Sequence, residues 1–270
     1  MPKSALALLV WFLLAIFMLV ALAYFLQHKL VYFPHRYSVP ELVLAAEQNV
    51  TTPWPSPDEA YRGLLSSPSP AFRGTVIVFH GNGGSALNRL HYLAPLERLG
   101  FRVLLAEYPG YGARKGQPRE SVLIADARST IELVRRQFDG PLYLWGESLG
   151  ASVATAAAAD PSLPIEGLVL ITPFANLPEL AQSIYWPLPV KCLVREKYDS
   201  KANLQSFRGP VAILVASQDE LIPRQQSQQL YDSLATRKEI WVFEGAGHNT
   251  WPVSPQEGWW QEAADFVSSE

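Results

Sequence analysis

The stretch Leu142-Tyr143-Leu144-Trp145-Gly146-Glu147-Ser148-Leu149-Gly150 decides how this chain is read. Four apolar residues run into Gly-x-Ser-x-Gly, and the small residues Ala151 to Ala159 follow directly. Strand, sharp turn and helix in that order form a nucleophile elbow. The turn is tight enough that its flanks take glycine, and it lifts the serine oxygen above the end of the strand. The N–H groups of the following helix converge on the same point and favour negative charge there. Three fixed positions in five also occur by chance in turns, so the surroundings must support the reading.

They do so by alternation. Short apolar runs occupy residues 75–79, 103–106, 142–145, 168–171, 211–215 and 240–243. Runs of this length, apolar on both faces, are buried parallel strands. Helical stretches lie between and after them at 87–99, 122–138, 151–159, 224–234 and 256–267. The pattern predicts an α/β fold: a mostly parallel twisted sheet with helices on both faces. Residues 59–65 add an earlier strand, antiparallel or at the edge. Pro53-Trp54-Pro55-Ser56-Pro57 and Ser66-Ser67-Pro68-Ser69-Pro70 read as loops, because proline at that density resists helix and central strand.

A length of 270 residues suits one such domain with a short appendage. Hydrophobic content of 49% with 17% charged residues describes a large core. A net charge of −3 gives no global basic field for nucleic acid. The lone Cys192 excludes an intrachain disulfide and a cysteine-rich zinc site, and reads as a small buried residue.

The amino-terminal segment is different in kind. Ala5 to Leu26 is an uncharged run of 22 apolar residues. As a helix it extends ~33 Å, enough to cross the hydrocarbon core of a bilayer. A cleaved signal peptide is the rival reading, with Lys3 before the run and Ala21-Leu22-Ala23 as a cleavage site. The length of the run and its continuation through Tyr24-Phe25-Leu26 favour a retained single-pass anchor. Lys3 on one side and Lys29 and Arg36 on the other nearly balance, so charge does not set which side holds the domain. The expected division is an anchor over 1–28 and a catalytic domain over 29–270. Val31 to Arg36 mixes apolar, aromatic and basic residues, as a segment lying at the lipid surface would.

In open parallel sheets, chemistry sits in loops beyond the carboxyl ends of the strands. A serine nucleophile needs a base, and the base needs an orienting acid. Behind an elbow these follow in the order Ser, acid, His. Of the histidines at 28, 35, 80, 91 and 248, only His248 comes after Ser148. It ends the glycine-rich loop Glu244-Gly245-Ala246-Gly247-His248 after the last strand. The acid is expected after residues 211–215, where Asp219 is preferred and its neighbour Glu220 is the alternative. Asp160, Asp199 and Asp232 fit less well. Two backbone N–H groups should face the developing oxyanion. Leu149 N–H is one, and Asn82 N–H, from His80-Gly81-Asn82-Gly83-Gly84-Ser85, is the other. His80 reads as a structural hydrogen-bonding residue of that loop. The glycines are not a phosphate loop, since no Lys-Ser/Thr pair follows them.

The three motifs around residues 80–84, 146–150 and 219/247–248, with Tyr108-Pro109-Gly110-Tyr111-Gly112, resemble the α/β-hydrolase superfamily. The likeness is closest to its membrane-anchored branch, which includes lysophospholipid lipases, monoacylglycerol lipases and protein depalmitoylases. It covers roughly residues 30 to 268. The resemblance implies Ser148 as nucleophile, His248 as base and then acid, and Asp219 as its partner, with the amides of Asn82 and Leu149 as the oxyanion hole. It places Tyr108 and Tyr111 at the pocket wall, the simpler alternative being a structural glycine-proline loop packed by the two tyrosines. The stretch from Thr172 to Arg208 is short, so there is a small cap or none; within it the apolar residues 180–194 are a lipid-facing lid or pocket lining with Trp186 at the substrate, or a helix and loop closing the core. Ester or thioester cleavage of an acyl-lipid-like substrate follows, without metal or organic cofactor. A peptidase or amidase of the same fold and a non-catalytic membrane-tethered scaffold are the alternatives.

Overall fold

A computed structural model describes residues 3–58, 60–66 and 73–269. The strands are β1 (Phe33–Pro34), β2 (Thr51–Trp54), β3 (Gly63–Ser66), β4 (Gly74–Phe79), β5 (Gly83–Gly84), β6 (Phe101–Ala106), β7 (Leu142–Glu147), β8 (Gly167–Ile171), β9 (Val211–Ala216) and β10 (Lys238–Phe243). The helices are α1 (Lys3–Val31), α2 (Val39–Gln48), α3 (Leu93–Arg98), α4 (Glu120–Gln137), α5 (Leu149–Ala158), α6 (Leu177–Ile184), α7 (Ser200–Asn203), α8 (Arg224–Ser233) and α9 (Trp259–Ser268). The main sheet runs β10-β9-β8-β7-β4-β6-β3-β2. It is parallel from β10 to β6, and β3 and β2 add antiparallel pairs at one end.

The strands are apolar throughout because both faces are covered. On β4, Ile77 and Phe79 join one core with Leu123, Ala127 and Ile131 of α4 and Val153 and Ala157 of α5. Val76 and Val78 face the opposite core, with Leu42 of α2, Leu96 of α3 and Trp259 and Trp260 of α9. Every residue of α5 is buried. Its alanines, serine and glycine let the helix lie close beneath the sheet, against β7 and α4.

Three expectations are corrected. Thr51–Trp54 is a strand where a proline loop was expected. Pro53 is tolerated because β2 is the sheet's last strand, where a missing N–H leaves no partner unpaired. Residues 87–99 do not form one helix. A 3₁₀ turn over Ala86–Tyr92 is broken at Arg89 (φ −116°, ψ 15°) before α3 begins. Cys192 is exposed, in a 3₁₀ turn over Val190–Cys192 that lies outside both cores. Residues 31–36 pack on the domain through β1, which pairs in parallel with β5, and through the buried Tyr32, while Phe33, His35 and Arg36 are exposed. Of the second proline-rich stretch, only Ser66 falls among the described residues, at the end of β3.

The amino-terminal helix bends by 46° between Val10–Leu22 and Tyr24–Val31. Among the described residues no single helix is long and apolar enough to cross a membrane. The two arms together match that length and composition.

Candidate active site

Ser148 stands between β7 and α5 with φ 53° and ψ −118°, a conformation that L-residues rarely adopt. Its N–H donates to Ile171 O at 2.9 Å. The elbow's glycines are required by close approach. A Cβ on Gly146 would lie 2.5 Å from Ala151 Cα, and one on Gly150 would overlap the carbonyl oxygen of Phe79. The turn is therefore seated against the end of β4, where residues 80–84 begin.

His248 and Asp219 are brought to it by two loops zipped together. Gln218 N–H donates to Ala246 O at 2.8 Å, Ser217 N–H to Phe243 O at 3.1 Å, and His248 N–H to Glu220 Oε2 at 3.1 Å. His248 Nδ1 lies 2.7 Å from Asp219 Oδ2, and Nε2 lies 3.1 Å from Ser148 Oγ. A carboxylate only accepts, so the ring proton sits on Nδ1 and leaves Nε2 to accept from the serine hydroxyl. The other oxygen, Asp219 Oδ1, accepts the N–H groups of Leu221 at 2.9 Å and Ile222 at 2.7 Å. Asp219 is thus the acid at the imidazole, while Glu220 caps the backbone of the histidine loop. Asp199 caps α7, Asp160 accepts from Ser162, and Asp232 accepts from Gln228, all away from His248.

Residues 80–84 cross beside the elbow. A Cβ on Gly81 would lie 3.5 Å from Ser148 Cβ. The loop is held from below. The buried His80 donates from Nδ1 to Gly81 O at 2.7 Å, and its Nε2 lies 3.2 Å from Glu107 Oε1. Tyr108 donates to His80 O at 2.9 Å, and Tyr111 donates to Asn82 O at 2.7 Å. Both tyrosines are fully buried, with rings 4.3 and 5.1 Å from that of His80. They brace the loop that carries Asn82. Trp186 is 78% exposed, in an apolar segment that begins with Ile184 at the end of α6 and continues through Tyr185 and Leu188.

The sequence reading missed the supports beneath these groups. Glu147, inside the elbow motif, pairs with Arg89 (Nε–Oε2 2.7 Å). Glu107, one residue past β6, also accepts Tyr37 Oη–H at 2.7 Å and Ala86 N–H at 3.2 Å. A carboxylate just past a strand's carboxyl end was the available signal for Glu107; Arg89 carried none. Among the described residues, no group of three or more His, Cys, Asp or Glu side chains is placed to hold a metal ion.

A parallel sheet with a strained serine at its central strand-to-helix turn, and an imidazole and carboxylate delivered by the last two strand loops, defines the class. The chain belongs to the α/β-hydrolase superfamily. Residues 70–195 match the family model described as serine aminopeptidase, S33. An uncharacterised protein of Mycobacterium tuberculosis is 33% identical over 228 residues, covering 83% of this chain and 80% of that one. The lysophosphatidylserine lipase ABHD12 of Danio rerio is 30% identical over 184 residues, covering 61% of this chain and 48% of that one. The chain thus spans about half the length of that lipase. An esterase of Pyrococcus furiosus has the same fold, with a TM-score of 0.61 at 17% identity, covering 88% of this chain and 97% of that one.

Proposed function

We propose that this chain is a membrane-anchored serine hydrolase that cleaves carboxylic esters or thioesters of acyl-lipid character. The observation that carries the reading is the continuous relay from Asp219 Oδ2 through His248 to Ser148 Oγ, at 2.7 and 3.1 Å. Ser148 Oγ attacks the acyl carbonyl as His248 Nε2 takes its proton. The imidazolium is stabilised by Asp219, and the oxyanion by the N–H groups of Leu149 and Asn82. His248 then returns the proton to the leaving alcohol or thiol. Water attacks the acyl-enzyme by the same route and frees the acid and Ser148.

The acyl-lipid character is supported by the similarity to the lysophosphatidylserine lipase ABHD12 and by the exposed apolar residues Ile184, Tyr185, Trp186 and Leu188. Trp186 is assigned to the acyl chain or lipid, and Tyr108 and Tyr111 to the wall beneath the oxyanion loop. The anchor is α1, its two arms together long and apolar enough for a bent span. The test is Ser148→Ala in the full chain. It should lose fluorophosphonate labelling and hydrolysis of short p-nitrophenyl esters; activity that persists removes Ser148 from the mechanism.

A second reading, amide cleavage, is favoured by the description of the matched family model. Turnover of acyl esters and acyl thioesters, compared with aminoacyl amides, separates the two. Faster amide turnover would replace the lipid assignment and leave the relay in place.

A further inference from the structure

The carbonyl and side chain of Asn82 are tied to the segment that leaves the amino-terminal helix. Asn82 Nδ2 donates to Val31 O at 2.8 Å, and Asn82 O accepts Phe33 N–H at 2.9 Å. Two residues on, Gly84 O accepts His35 N–H at 2.8 Å. These bonds form the short β1–β5 ladder. Asn82, whose N–H the proposed oxyanion hole uses, is therefore held through its own carbonyl and carboxamide by residues 31–35 on one side and through its carbonyl by Tyr111 on the other.

The same helical turn is bolted to residues 193–198. Gln27 Nε2 donates to Leu193 O at 2.8 Å, and Gln27 Oε1 accepts Arg195 N–H at 2.8 Å. Tyr32 Oη–H donates to Glu196 Oε2 at 3.2 Å, so Tyr198 supplies the proton in the 2.7 Å bond between the two phenols. Burial pushes both phenols well above their usual range, and the link stays protonated across ordinary pH. One turn of helix and the five residues after it thus join residues 193–198 to the loop that carries Asn82.

We infer that Gln27 and the Asn82 carboxamide are positioning residues: they hold the Asn82 N–H in register with Ser148, so that the docked end of the amino-terminal helix sets the oxyanion hole. The inference rests on the proposed hydrolase activity. Neither side chain touches the reacting atoms. Their effect falls on the transition state, because the N–H must meet the oxyanion and not the ground-state carbonyl.

The test uses the full chain in detergent micelles, with Gln27→Ala, Asn82→Ala and the double variant, on p-nitrophenyl butyrate. Asn82→Ala keeps its backbone N–H but loses the tie to Val31. Its kcat should fall about tenfold to a hundredfold, part of the ~10²–10³ that one oxyanion donor contributes. Gln27→Ala should lose about fivefold, as a small displacement of a catalytic group does. KM should stay within about twofold, and affinity for a trifluoromethyl ketone should fall by the same factor as kcat/KM, since the ketone adduct mimics the tetrahedral state. The double variant should lose less than the product of the single losses, because both interrupt one link. Hydrogen exchange gives a readout independent of turnover: Gln27→Ala should speed exchange across residues 80–86. Unchanged exchange in that segment, or losses confined to KM with the ketone unaffected, overturns the inference. A wild-type chain that neither labels nor turns over overturns the hydrolase reading, and exchange still decides whether Gln27 orders the loop.

Discussion

At Ser148 the backbone is held in a conformation that costs of order 1–3 kcal/mol and persists only where the surroundings enforce it. The bond to Ile171 O and the glycine contacts at 146 and 150 supply that enforcement. The adjacent carboxylates at 219 and 220 show how position divides roles between similar groups. Asp219 offers one oxygen to the imidazole and the other to two backbone N–H groups, so it is fixed on both sides. Glu220 reaches the same histidine only through its backbone N–H. Asp219→Asn presents an amide N–H or a poorer acceptor to Nδ1 and disfavours the required tautomer, so kcat on p-nitrophenyl esters should drop about 10⁴-fold. Glu220→Gln retains an oxygen for the His248 N–H and should lose less than about tenfold. The reverse ranking in steady-state kinetics would exchange the two assignments.

Between elements, the elbow is also held by charge. Glu147 at the end of β7 pairs with Arg89, where the 3₁₀ turn departs from helical geometry. The side chains are 14% and 11% exposed, so removing one partner leaves a largely buried charge. Arg89→Leu should cost about 3 kcal/mol, the low end of the range for a broken buried pair, and adding Glu147→Leu should recover most of it. Urea unfolding of the two variants measures both steps; a double variant no more stable than the single one would assign the cost to lost packing. That pair also marks where sequence reading stops. β4, β7, β8 and β9 are legible because burial on both faces makes them continuously apolar. The relay is legible because chain order and an elbow fix Ser148 and leave one histidine after it. β2 is hidden by Pro53, which only an edge position permits. Helix α2 carried a usable signal that was passed over, the Ser38–Glu41 capping box with proline in the first turn. Arg89, Glu107 and Gln27 act through contacts 58, 27 and 166 or more positions away, and no local pattern encodes those.

For the whole molecule, the consequence is how the domain sits relative to its helix. A flexible linker would let a catalytic domain tumble beside the membrane. Here Gln27 bonds to Leu193 and Arg195, and Val31 and Phe33 bond to Asn82, so the outer arm of the helix, Tyr24–Val31, is docked on the domain. The exposed residues Ile184, Tyr185, Trp186 and Leu188 lie a few residues before Leu193 and Arg195, which this arm meets. The inner arm carries the exposed side chains Leu8, Trp11, Phe12, Leu14, Phe17, Met18 and Leu19, which only a bilayer, detergent or another apolar surface would cover. Leu14 and Leu19 are 50% and 68% exposed, so replacing them disturbs little protein packing. An arginine near the middle of a span opposes insertion by about 2.5–3.5 kcal/mol. Leu14→Arg combined with Leu19→Arg should therefore shift the chain from the carbonate-resistant membrane pellet to the soluble fraction. Ester hydrolysis in detergent should remain near the parent value, because the substituted arm lies on the far side of the bend from Gln27. A double variant still resistant to carbonate would show that α1 is not what holds the protein to the membrane.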